Sequence, residues 1–431
     1  MKIISRNTPD FEKCRDEILR RDAFSPEIDK SVAEIIADVK ERNDSALQDY
    51  LLKFDKVLLM PHEFQVPEDV IDEAKSELQP EVIRAIDQAV DNIQDFYKRC
   101  KPRDWEYSPR PGVTLGEQFH PLDRVGCYIP GGTAPLISTV CHTVAIAAAA
   151  GVKEIIVCTP PQRGGSVNPA ILYASRRAGA TAVYRLGGVY AIAAMAYGTE
   201  NVPKVEKICG PGNAYVAAAK RQIYGDAALD LVAGPSEIMI VADSTANPAF
   251  VAADILSQAE HGSGREHAVL VSTDRKLIDD VQAEIVRQSA LLTRQECVTR
   301  VLENGVFLVE AADLDDAARI ASLYAPEHLE LLVADPRALA PKITASGAIF
   351  MGQWTPEPVG DYIAGPSHVL PTGGTGRFFN GLTMDAFYRR TSLIHYEQEA
   401  LMRELPDIEV IASCEGLDAH RRSASIRRDG I

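Results

Sequence analysis

The sequence lacks the cysteine spacing of a zinc site or a disulfide framework. Its 431 residues contain eight cysteines but no Cys-x-x-Cys pair, and several lie in apolar stretches such as Ile155–Cys158. Disulfide-rich and cysteine-zinc folds both depend on regularly spaced pairs. We therefore expect mostly buried free thiols, which pack as small hydrophobic side chains.

Long apolar runs and an excess of basic residues are missing as well. The most apolar stretches, near residues 140–152 and 237–241, are shorter than the roughly 20 residues that a membrane helix needs. Lys and Arg total 45 against 61 Asp and Glu, and the net charge of −16 disfavours binding to nucleic acid or anionic membranes. Residues 1–8 show no apolar secretory core. We expect a cytoplasmic protein with a small-molecule substrate and no nucleic-acid or membrane partner.

The length and the hydrophobic pattern predict an α/β protein. A chain of 431 residues exceeds what one core commonly serves, so two or more domains are expected. Residues 1–105 have the charged, periodic segments of helices. From Gly126 onward, short β-branched runs alternate with Ala-rich stretches, which predicts parallel sheets covered by helices. The charged tail after residue 385 is too polar to form a core alone and should pack on the body or on a second subunit.

The alternation forms two successive series, which favours an active site in the cleft between two α/β units. Strands of the first series are predicted at 154–158, 182–186, 205–209 and 238–242, and its helices near 139–150, 169–178, 190–196 and 214–223. Strands of the second series are predicted at 268–272, 306–309, 330–334 and 348–351, with helices at 248–260, 275–290, 314–323 and 336–345.

Four of the nine histidines end short polar islands. The islands are Ser257–His261, Tyr324–His328, Gly360–His368 and Glu415–His420. Imidazole beside carboxylate or amide suits a divalent metal site or an acid/base relay, because the neighbour fixes the tautomer and supplies charge. Taken together, the islands match a metal such as Zn²⁺ without any thiolate, although an H-E-x-x-H motif is absent.

Each island also has a simpler interpretation. Gln258 and His261 share one face near a helix end, where a histidine more often contacts the terminal carbonyls than a metal. Glu327–His328 follows a proline and precedes a predicted strand, which favours a fixed acid/base pair over a solvated surface pair. The other two islands are compatible with solvated side chains.

Three glycine turns favour a nucleotide in the first series. They lie at residues 130–133, 186–188 and 210–213, where a strand ends or a helix begins, and their backbone N–H groups could hold a pyrophosphate. None matches G-x-G-x-x-G, and no P-loop is present.

At these residues the chain resembles the histidinol dehydrogenase family. The similarity runs from about residue 110 to 425, through Tyr128-Ile-Pro-Gly-Gly, Gly210-Pro-Gly-Asn-Ala-Tyr, Ala233-Gly-Pro-Ser-Glu-Ile, Ser257-Gln-Ala-Glu-His-Gly, Tyr324-Ala-Pro-Glu-His-Leu, Gly365-Pro-Ser-His-Val-Leu-Pro-Thr and Glu415-Gly-Leu-Asp-Ala-His. The resemblance implies a homodimeric enzyme with shared active sites that uses Zn²⁺ and NAD. It would carry out the four-electron oxidation of L-histidinol through L-histidinal to L-histidine, the last steps of histidine biosynthesis.

The resemblance also implies a role for each matching residue. Zinc, one ion per subunit, would be held by Gln258, His261, Asp361 and His420, with His420 reaching into the partner subunit's site. Glu327 and His328 would be the catalytic acid/base pair. Ser236, His368 and Glu415 would join the zinc ligands and the acid/base pair in binding the substrate. Tyr128 and Asn213 would contact NAD, and Tyr190 is a third candidate because it stands where the family has a glutamine.

The implied fold has two Rossmann-like parallel-sheet units. Its expected parts are an N-terminal helical segment (1–24), a first α/β domain (25–127 with 239–381), a second α/β domain on the NAD side (128–238) and a C-terminal tail (382–431) that packs on the partner subunit. Departures from the family at residues 141–151, Tyr190 and Ser367 fall mainly on the cofactor side. They leave open a paralogous zinc and NAD dehydrogenase for another polar alcohol or diol, a zinc hydrolase, and a metal-binding scaffold without catalysis.

Overall fold

The structure is a computed structural model that describes residues 1–5, 18–19, 21, 25–131, 135–261 and 263–429. The chain forms two compact units, Met1–Cys100 with Leu122–Phe387 and Lys101–Pro121 with Tyr388–Ile431. Over the described ranges, no helix combines the length and the apolar character needed to cross a membrane. The cysteines within these ranges are all free, and four of them are buried.

The strands, in chain order, are β1 (Lys2–Ser5), β2 (Trp105–Arg110), β3 (Val113–Pro121), β4 (Arg124–Tyr128), β5 (Glu154–Cys158), β6 (Ala182–Tyr184), β7 (Lys207–Cys209), β8 (Ala228–Leu229), β9 (Glu237–Ala242), β10 (His267–Ser272), β11 (Val306–Glu310), β12 (His328–Leu332), β13 (Ala348–Met351) and β14 (Tyr388–Tyr396).

The α-helices are α1 (Pro26–Arg42), α2 (Asp44–Tyr50), α3 (Glu68–Glu73), α4 (Pro80–Lys98), α5 (Ile137–Ala150), α6 (Pro169–Ala178), α7 (Gly188–Tyr197), α8 (Ala214–Gln222), α9 (Pro248–Ala259), α10 (Arg275–Ser289), α11 (Gln295–Asn304), α12 (Leu314–Tyr324), α13 (Pro336–Leu339), α14 (Glu357–Tyr362), α15 (Gln398–Cys414) and α16 (Asp418–Asp429). Short 3₁₀ or π turns lie at Leu51–Asp55, Pro61–Glu63, Ala74–Glu77, Ala340–Lys342, Thr375–Arg377 and Met384–Phe387.

A six-stranded parallel sheet in the order β1-β11-β10-β9-β12-β13 forms one half of the larger unit. Alternate residues of its strands face opposite sides. Ile238 and Ile240 of β9 pack with α9, α10 and α11, whereas Met239 and Val241 pack with α12 on the other face. Because both faces are buried, these strands are largely apolar, and the polar exceptions include Glu237 at the start of β9 and His328 and Glu330 of β12.

A five-stranded parallel sheet in the order β6-β5-β4-β7-β8 forms the other half of the larger unit. Its main core combines Ile156 of β5 and Ile208 of β7 with the apolar faces of α1, α2, α7 and α8. Two parallel α/β sheets in one chain confirm the α/β fold class.

Two placements differ from the sequence-based division into domains. Residues 2–5, expected in a helical segment, form β1 beside β11, because Ile4 completes the apolar core of the six-stranded sheet. Strand β4 and helix α1, expected in the first α/β domain, belong to the five-stranded sheet. Helix α1 packs there because its apolar face, which includes Val32 and Val39, meets the Ala-rich α7. The other boundaries stay predictions.

The smaller unit contains an antiparallel sheet in the order β14-β3-β2, followed by α15 and α16. Strand β14 pairs with β3 along its full length, from Tyr388 opposite Pro121 to Tyr396 opposite Val113. The sequence patterns predict none of these strands. The residues of β2 and β14 are largely exposed, those of β3 are mostly half-buried, and all three strands lack the apolar runs by which the other strands are recognised.

Candidate functional site

Glu327 and His328 lie where helix α12 ends and strand β12 begins. The helix ends at Tyr324, and Ala325 has a left-handed backbone with φ of 50°, which turns the chain towards the sheet. His328 is the first residue of β12 and lies between Ile238 of β9 and Ala348 of β13. Strand β12 has a neighbouring strand on each side, and both side chains are enclosed, since only 6% of Glu327 and 4% of His328 are exposed.

The peptide group of Glu237, at the start of β9, holds both side chains. Its backbone N–H donates to Glu327 Oε2 at 2.9 Å, and its carbonyl oxygen lies 3.1 Å from His328 Nδ1. A carbonyl only accepts, so Nδ1 carries the proton and Nε2 of a neutral His328 ring is basic. Nε2 is buried and has no hydrogen-bond partner in the described part of the chain. The site therefore contains a fixed imidazole whose basic nitrogen is free to accept a proton.

Two carboxyl groups on helix α14 approach that nitrogen. Glu357 and Asp361 are four residues apart and so share one helix face. Glu357 Oε1 lies 3.8 Å and Asp361 Oδ1 lies 3.9 Å from His328 Nε2. On the other side of Asp361, the Nδ1 atom of His368 lies 3.6 Å from Oδ1. The backbone N–H of Glu357 donates to Glu330 Oε1 of β12 at 2.8 Å, which fixes the start of α14.

Burial changes the protonation of this cluster. It raises the pKa of Glu357 to about 9 and that of Glu327 well above its usual range, and it lowers the pKa of His328 to about 4. Burial acts in the same upward direction on Asp361, but the neighbouring His368 and His328 hold the pKa of that carboxyl below its usual range. At neutral pH, burial therefore favours the neutral forms of Glu357, Glu327 and His328, and Asp361 is the carboxylate among them. A cation bound beside Asp361 would stabilise its negative charge.

The donor set fits a divalent metal. His328, Glu357 and Asp361 each offer a ligand atom within 4.8 Å of the other two. Gln258 of α9 is completely buried, and neither atom of its amide has a partner among the residues described. Leaving such atoms unpaired costs roughly 1–3 kcal/mol each, so the Gln258 amide is itself expected to bind a ligand. Nitrogen and oxygen donors without thiolate are compatible with Zn²⁺.

A cavity of about 160 Å³ adjoins the cluster and is lined by His328, Asp361 and His368, with apolar walls that include Phe350 and Leu370. The cluster thus lies at the wall of a space that can hold a small polar molecule.

His142 on α5 is a site-adjacent residue that the sequence patterns did not single out. Its ring stacks on that of His368 with 4.4 Å between centroids, and its carbonyl accepts from Ser367 Oγ at 3.2 Å. His142 is completely buried, and neither of its ring nitrogens has a partner in the described segments. The stacked ring of His142 therefore supports the orientation of the His368 ring.

Other sequence-predicted residues lie near the cluster or in the second unit. Ser236 directly precedes β9 and is half-buried. His261 is exposed just beyond α9, close enough for its charge to act on His328. Glu415 caps the end of α15 and His420 lies on α16, both exposed in the smaller unit. The larger unit therefore brings together Glu327, His328, Asp361 and His368, whereas Glu415 and His420 belong to a separate part of the chain.

The proposed NAD contacts lie at helix starts of the five-stranded sheet. Tyr128 ends β4, and its hydroxyl oxygen accepts from Gly188 N–H at 3.0 Å, at the first turn of α7. Asn213 caps α8, since its Oδ1 accepts from the N–H groups of Tyr215 and Val216 at 3.0 and 3.1 Å. Helix N-termini present N–H groups and partial positive charge, which suits a phosphate group.

Tyr190 does not fit the role of an NAD contact. Only 1% of the side chain is exposed, and its hydroxyl donates to the carboxylate of Asp55. The expected contact therefore lacks support, because the ring is part of the apolar core between α7 and the N-terminal helices. Of the three predicted glycine turns, the one at 130–133 is described only to Gly131.

Known proteins that are similar to this chain share one description. The family model described as histidinol dehydrogenase matches residues 19–428. The chain is 45% identical to histidinol dehydrogenase of Heliobacterium mobile, over 92% of each chain, and 42% identical to that of Geobacter metallireducens, over 100% of this chain and 99% of the relative. The crystal structure of histidinol dehydrogenase from Elizabethkingia anophelis is similar with a TM-score of 0.94 at 35% identity, covering 100% of this chain and 98% of that one. The chain belongs to the histidinol dehydrogenase family.

Proposed function

We propose that the protein oxidises L-histidinol through L-histidinal to L-histidine, with NAD as the electron acceptor and one zinc ion in each site. The observation that carries this proposal is the Glu327–His328 pair, which the Glu237 peptide holds with Nε2 of His328 free beside Asp361. Membership of the family and the names of the two bacterial relatives supply the substrate. The protein thereby acts as an oxidoreductase of histidine biosynthesis.

In the first oxidation, the free Nε2 of His328 accepts the proton of the substrate hydroxyl. Its lowered pKa keeps the ring neutral, and so able to accept that proton, at physiological pH. NAD, when bound, supplies the acceptor for the hydride that leaves the carbinol carbon. Fixing the imidazole through Nδ1 orients the base before the substrate arrives, so less ordering is needed during the reaction.

The second oxidation requires water to add to the aldehyde. Glu327 lies beside the base His328, with Oε2 3.7 Å from Nδ1, and its carboxylate form would deprotonate that water. Burial raises the pKa of Glu327, so its ionised fraction is the form that acts as this base. The aldehyde oxygen takes the proton that His328 gained in the first oxidation, so His328 is neutral again when the hydrate has formed. The hydrate then gives a hydroxyl proton to His328 and a hydride to a second NAD, which yields the carboxylic acid. Loss of the acidic proton to water gives the carboxylate. His328 thus serves both oxidations, and Glu327 serves the hydration between them.

Zinc would be held by Gln258, His261, Asp361 and His420 of the partner subunit, with the carboxyl group of Glu357 nearby as a further oxygen donor. When bound, zinc supplies a positive charge that anchors the imidazole and amine of the substrate. Ser236, His368 and Glu415 would add hydrogen bonds to the substrate. This arrangement makes a homodimer with shared sites part of the proposal.

NAD would bind at the five-stranded sheet, at the ends of β4 and β7. Tyr128 and Asn213 would contact it, and the turn at Gly210 would let the backbone approach closely. Gly210 has φ of 114°, and a Cβ there would lie 2.1 Å from the carbonyl oxygen of Tyr128. A residue other than glycine would therefore displace this turn.

The test is to follow NADH when purified protein is mixed with L-histidinol and NAD. We expect two NADH for each histidine formed, loss of turnover on chelation and recovery with Zn²⁺. Absence of turnover with histidinol, but activity on another amino alcohol or diol, would reject the substrate while retaining the chemistry. Hydrolysis of an ester or amide without NAD would contradict the proposal that the protein is an oxidoreductase.

A further inference from the structure

Arg21 is a buried cation that lies behind the acid/base pair and takes no part in the proposed reaction. Its Nη1 donates to Glu237 Oε2 at 2.6 Å and its Nη2 to the carbonyl of Tyr324 at 2.6 Å. The guanidinium also lies over the ring of Tyr324, 4.0 Å from its centroid. With 8% of its side chain exposed, against 4% for Glu237, this ion pair is shielded from water.

The two groups that Arg21 holds belong to the two segments that aim the acid/base pair. Glu237 is the residue whose peptide N–H and carbonyl contact Glu327 and His328. Tyr324 is the last residue of α12, and three residues further along the chain comes Glu327. The turn between them includes Ala325 with a left-handed backbone, a conformation that is strained for an alanine and needs support from its surroundings.

A third segment of the chain also contacts the Glu237 side chain. The other oxygen of the Glu237 carboxylate, Oε1, accepts from the N–H of Gly373 at 3.0 Å. Thr372, one residue earlier, accepts from Gly234 N–H, in the stretch that leads to Ser236. The Arg21–Glu237 pair therefore connects the turn that carries Glu327, the strand start that aims His328 and the loop beside Ser236.

We propose that Arg21 is a positioning residue, which fixes the geometry of Glu327 and His328 through the Glu237 side chain and the Tyr324 carbonyl. The inference rests on the proposed function, because its readout is the turnover of histidinol. Arg21 is not itself within the cavity next to His328, so it acts on the rate through the pair it aligns. A displacement of about 1 Å in such a group can cost about 100-fold in rate.

The decisive variant is Arg21→Ala, tested with added guanidinium ion. A cavity of about 370 Å³ lined by Arg21, Glu237 and His267 gives a small cation access to the vacated place. We expect kcat with histidinol to fall about 10- to 100-fold, KM values to stay within about twofold and zinc content to remain unchanged. Guanidinium at tens of millimolar should restore kcat about tenfold, and urea at the same concentration should not.

Arg176→Ala is the matched control, because Arg176 of α6 forms an exposed ion pair with Asp72 of α3. Its kcat should equal that of the unmodified protein, with no response to guanidinium. If the unmodified protein fails to oxidise histidinol, the proposed function falls. If the unmodified protein is active and Arg21→Ala keeps full kcat, the positioning role is rejected. It is also rejected if Arg21→Ala loses activity only in parallel with its zinc content and guanidinium does not restore kcat.

Two further variants decide the question if Arg21→Ala does not fold. Arg21→Lys keeps a positive charge for Glu237 but cannot also reach the Tyr324 carbonyl with a rigid fork. Glu237→Gln keeps the backbone contacts to Glu327 and His328 but removes the ion pair. In both variants, the fold-decrease in kcat should exceed the fold-change in KM. The decrease in kcat should be smaller for Arg21→Lys than for Glu237→Gln. Full kcat in both variants would overturn the proposal.

Discussion

At the scale of single residues, the chemistry depends on the unpartnered Nε2 of His328. His328→Asn tests this, because an asparagine amide can still donate to the Glu237 carbonyl but has no basic nitrogen. We expect kcat with histidinol to fall about 10²- to 10⁴-fold with little change in melting temperature. His62→Asn, the same change at an exposed histidine, should have no effect. Near-normal kcat in His328→Asn would remove His328 from the acid/base role.

Glu357 raises a second residue-scale question, because it lies beside both Asp361 and His328 but was not among the ligands expected from sequence. Glu357→Gln keeps the side-chain shape but cannot ionise, so it cannot offer a carboxylate oxygen to zinc. If Glu357 contributes to the metal site, the zinc dissociation constant should rise about 10- to 100-fold, as measured by competition with a chromogenic chelator. Glu303→Gln, at an exposed position of α11, is the control. Unchanged zinc affinity would limit Glu357 to a contact of His328.

The residues that sequence reasoning found and those it missed differ in a physical respect. Glu327, His328, Asp361 and His368 stand in polar islands next to apolar strands or turns, a local signal of a fixed polar site. Glu357 has no such island, and Glu237 acts mainly through its peptide group, which has no sequence signature. Arg21 and His142 become relevant only when the fold brings together segments separated by more than 200 positions along the chain.

At the scale of elements, Asn213 has two roles to separate: it caps α8 and is a proposed NAD contact. Asn213→Ala removes the cap and should lower the free energy of unfolding by about 1 kcal/mol. Asn213→Asp can keep the cap, since a carboxylate oxygen also accepts from Tyr215 and Val216, but it loses the amide N–H donors. We expect Asn213→Asp to match the unmodified protein in melting temperature while its KM for NAD rises several-fold.

A lower melting temperature with unchanged KM for NAD in Asn213→Asp would contradict that expectation. The residue would then be a helix cap alone. Asn168→Asp is a suitable control, because Asn168 caps α6 in the same way, with Oδ1 accepting from Ala170 N–H at 2.9 Å, and no cofactor role is proposed for it.

Element boundaries could be predicted where local and tertiary preferences agree. Strands β5 and β13 and helix α6 have the predicted bounds, and α6 and α9 begin at Asn-Pro pairs that cap and start a helix. Strand β1 was missed because its four residues become a strand only beside β11. The predicted helix 336–345 ends earlier, at Leu339, and continues as a 3₁₀ turn around Pro341. Proline removes a backbone donor, so the regular helix stops there.

At the scale of the whole molecule, the two compact units carry different parts of the proposed site. The larger unit contains the acid/base pair and Asp361, whereas the smaller one carries Glu415 and His420. A symmetric homodimer would allow each subunit to complete the site of the other. His420→Ala should then lose zinc and activity and still form a dimer, as measured by light scattering. Unchanged zinc content would show that His420 is not a ligand.

Subunit mixing tests whether the sites are shared. His420→Ala and His328→Asn should each be inactive as homodimers, because every site lacks one essential side chain. In a mixed dimer, one site would combine the intact His328 of the first subunit with His420 of the second, and the other site would lack both. Random reassociation of equal amounts should therefore restore about one quarter of the unmodified activity. If each subunit used its own His420, every site in the mixed dimers would still lack one of the two side chains, and mixing would restore nothing. Mixing His420→Ala with itself after the same dissociation treatment is the control, and the size of the recovered activity distinguishes the two arrangements.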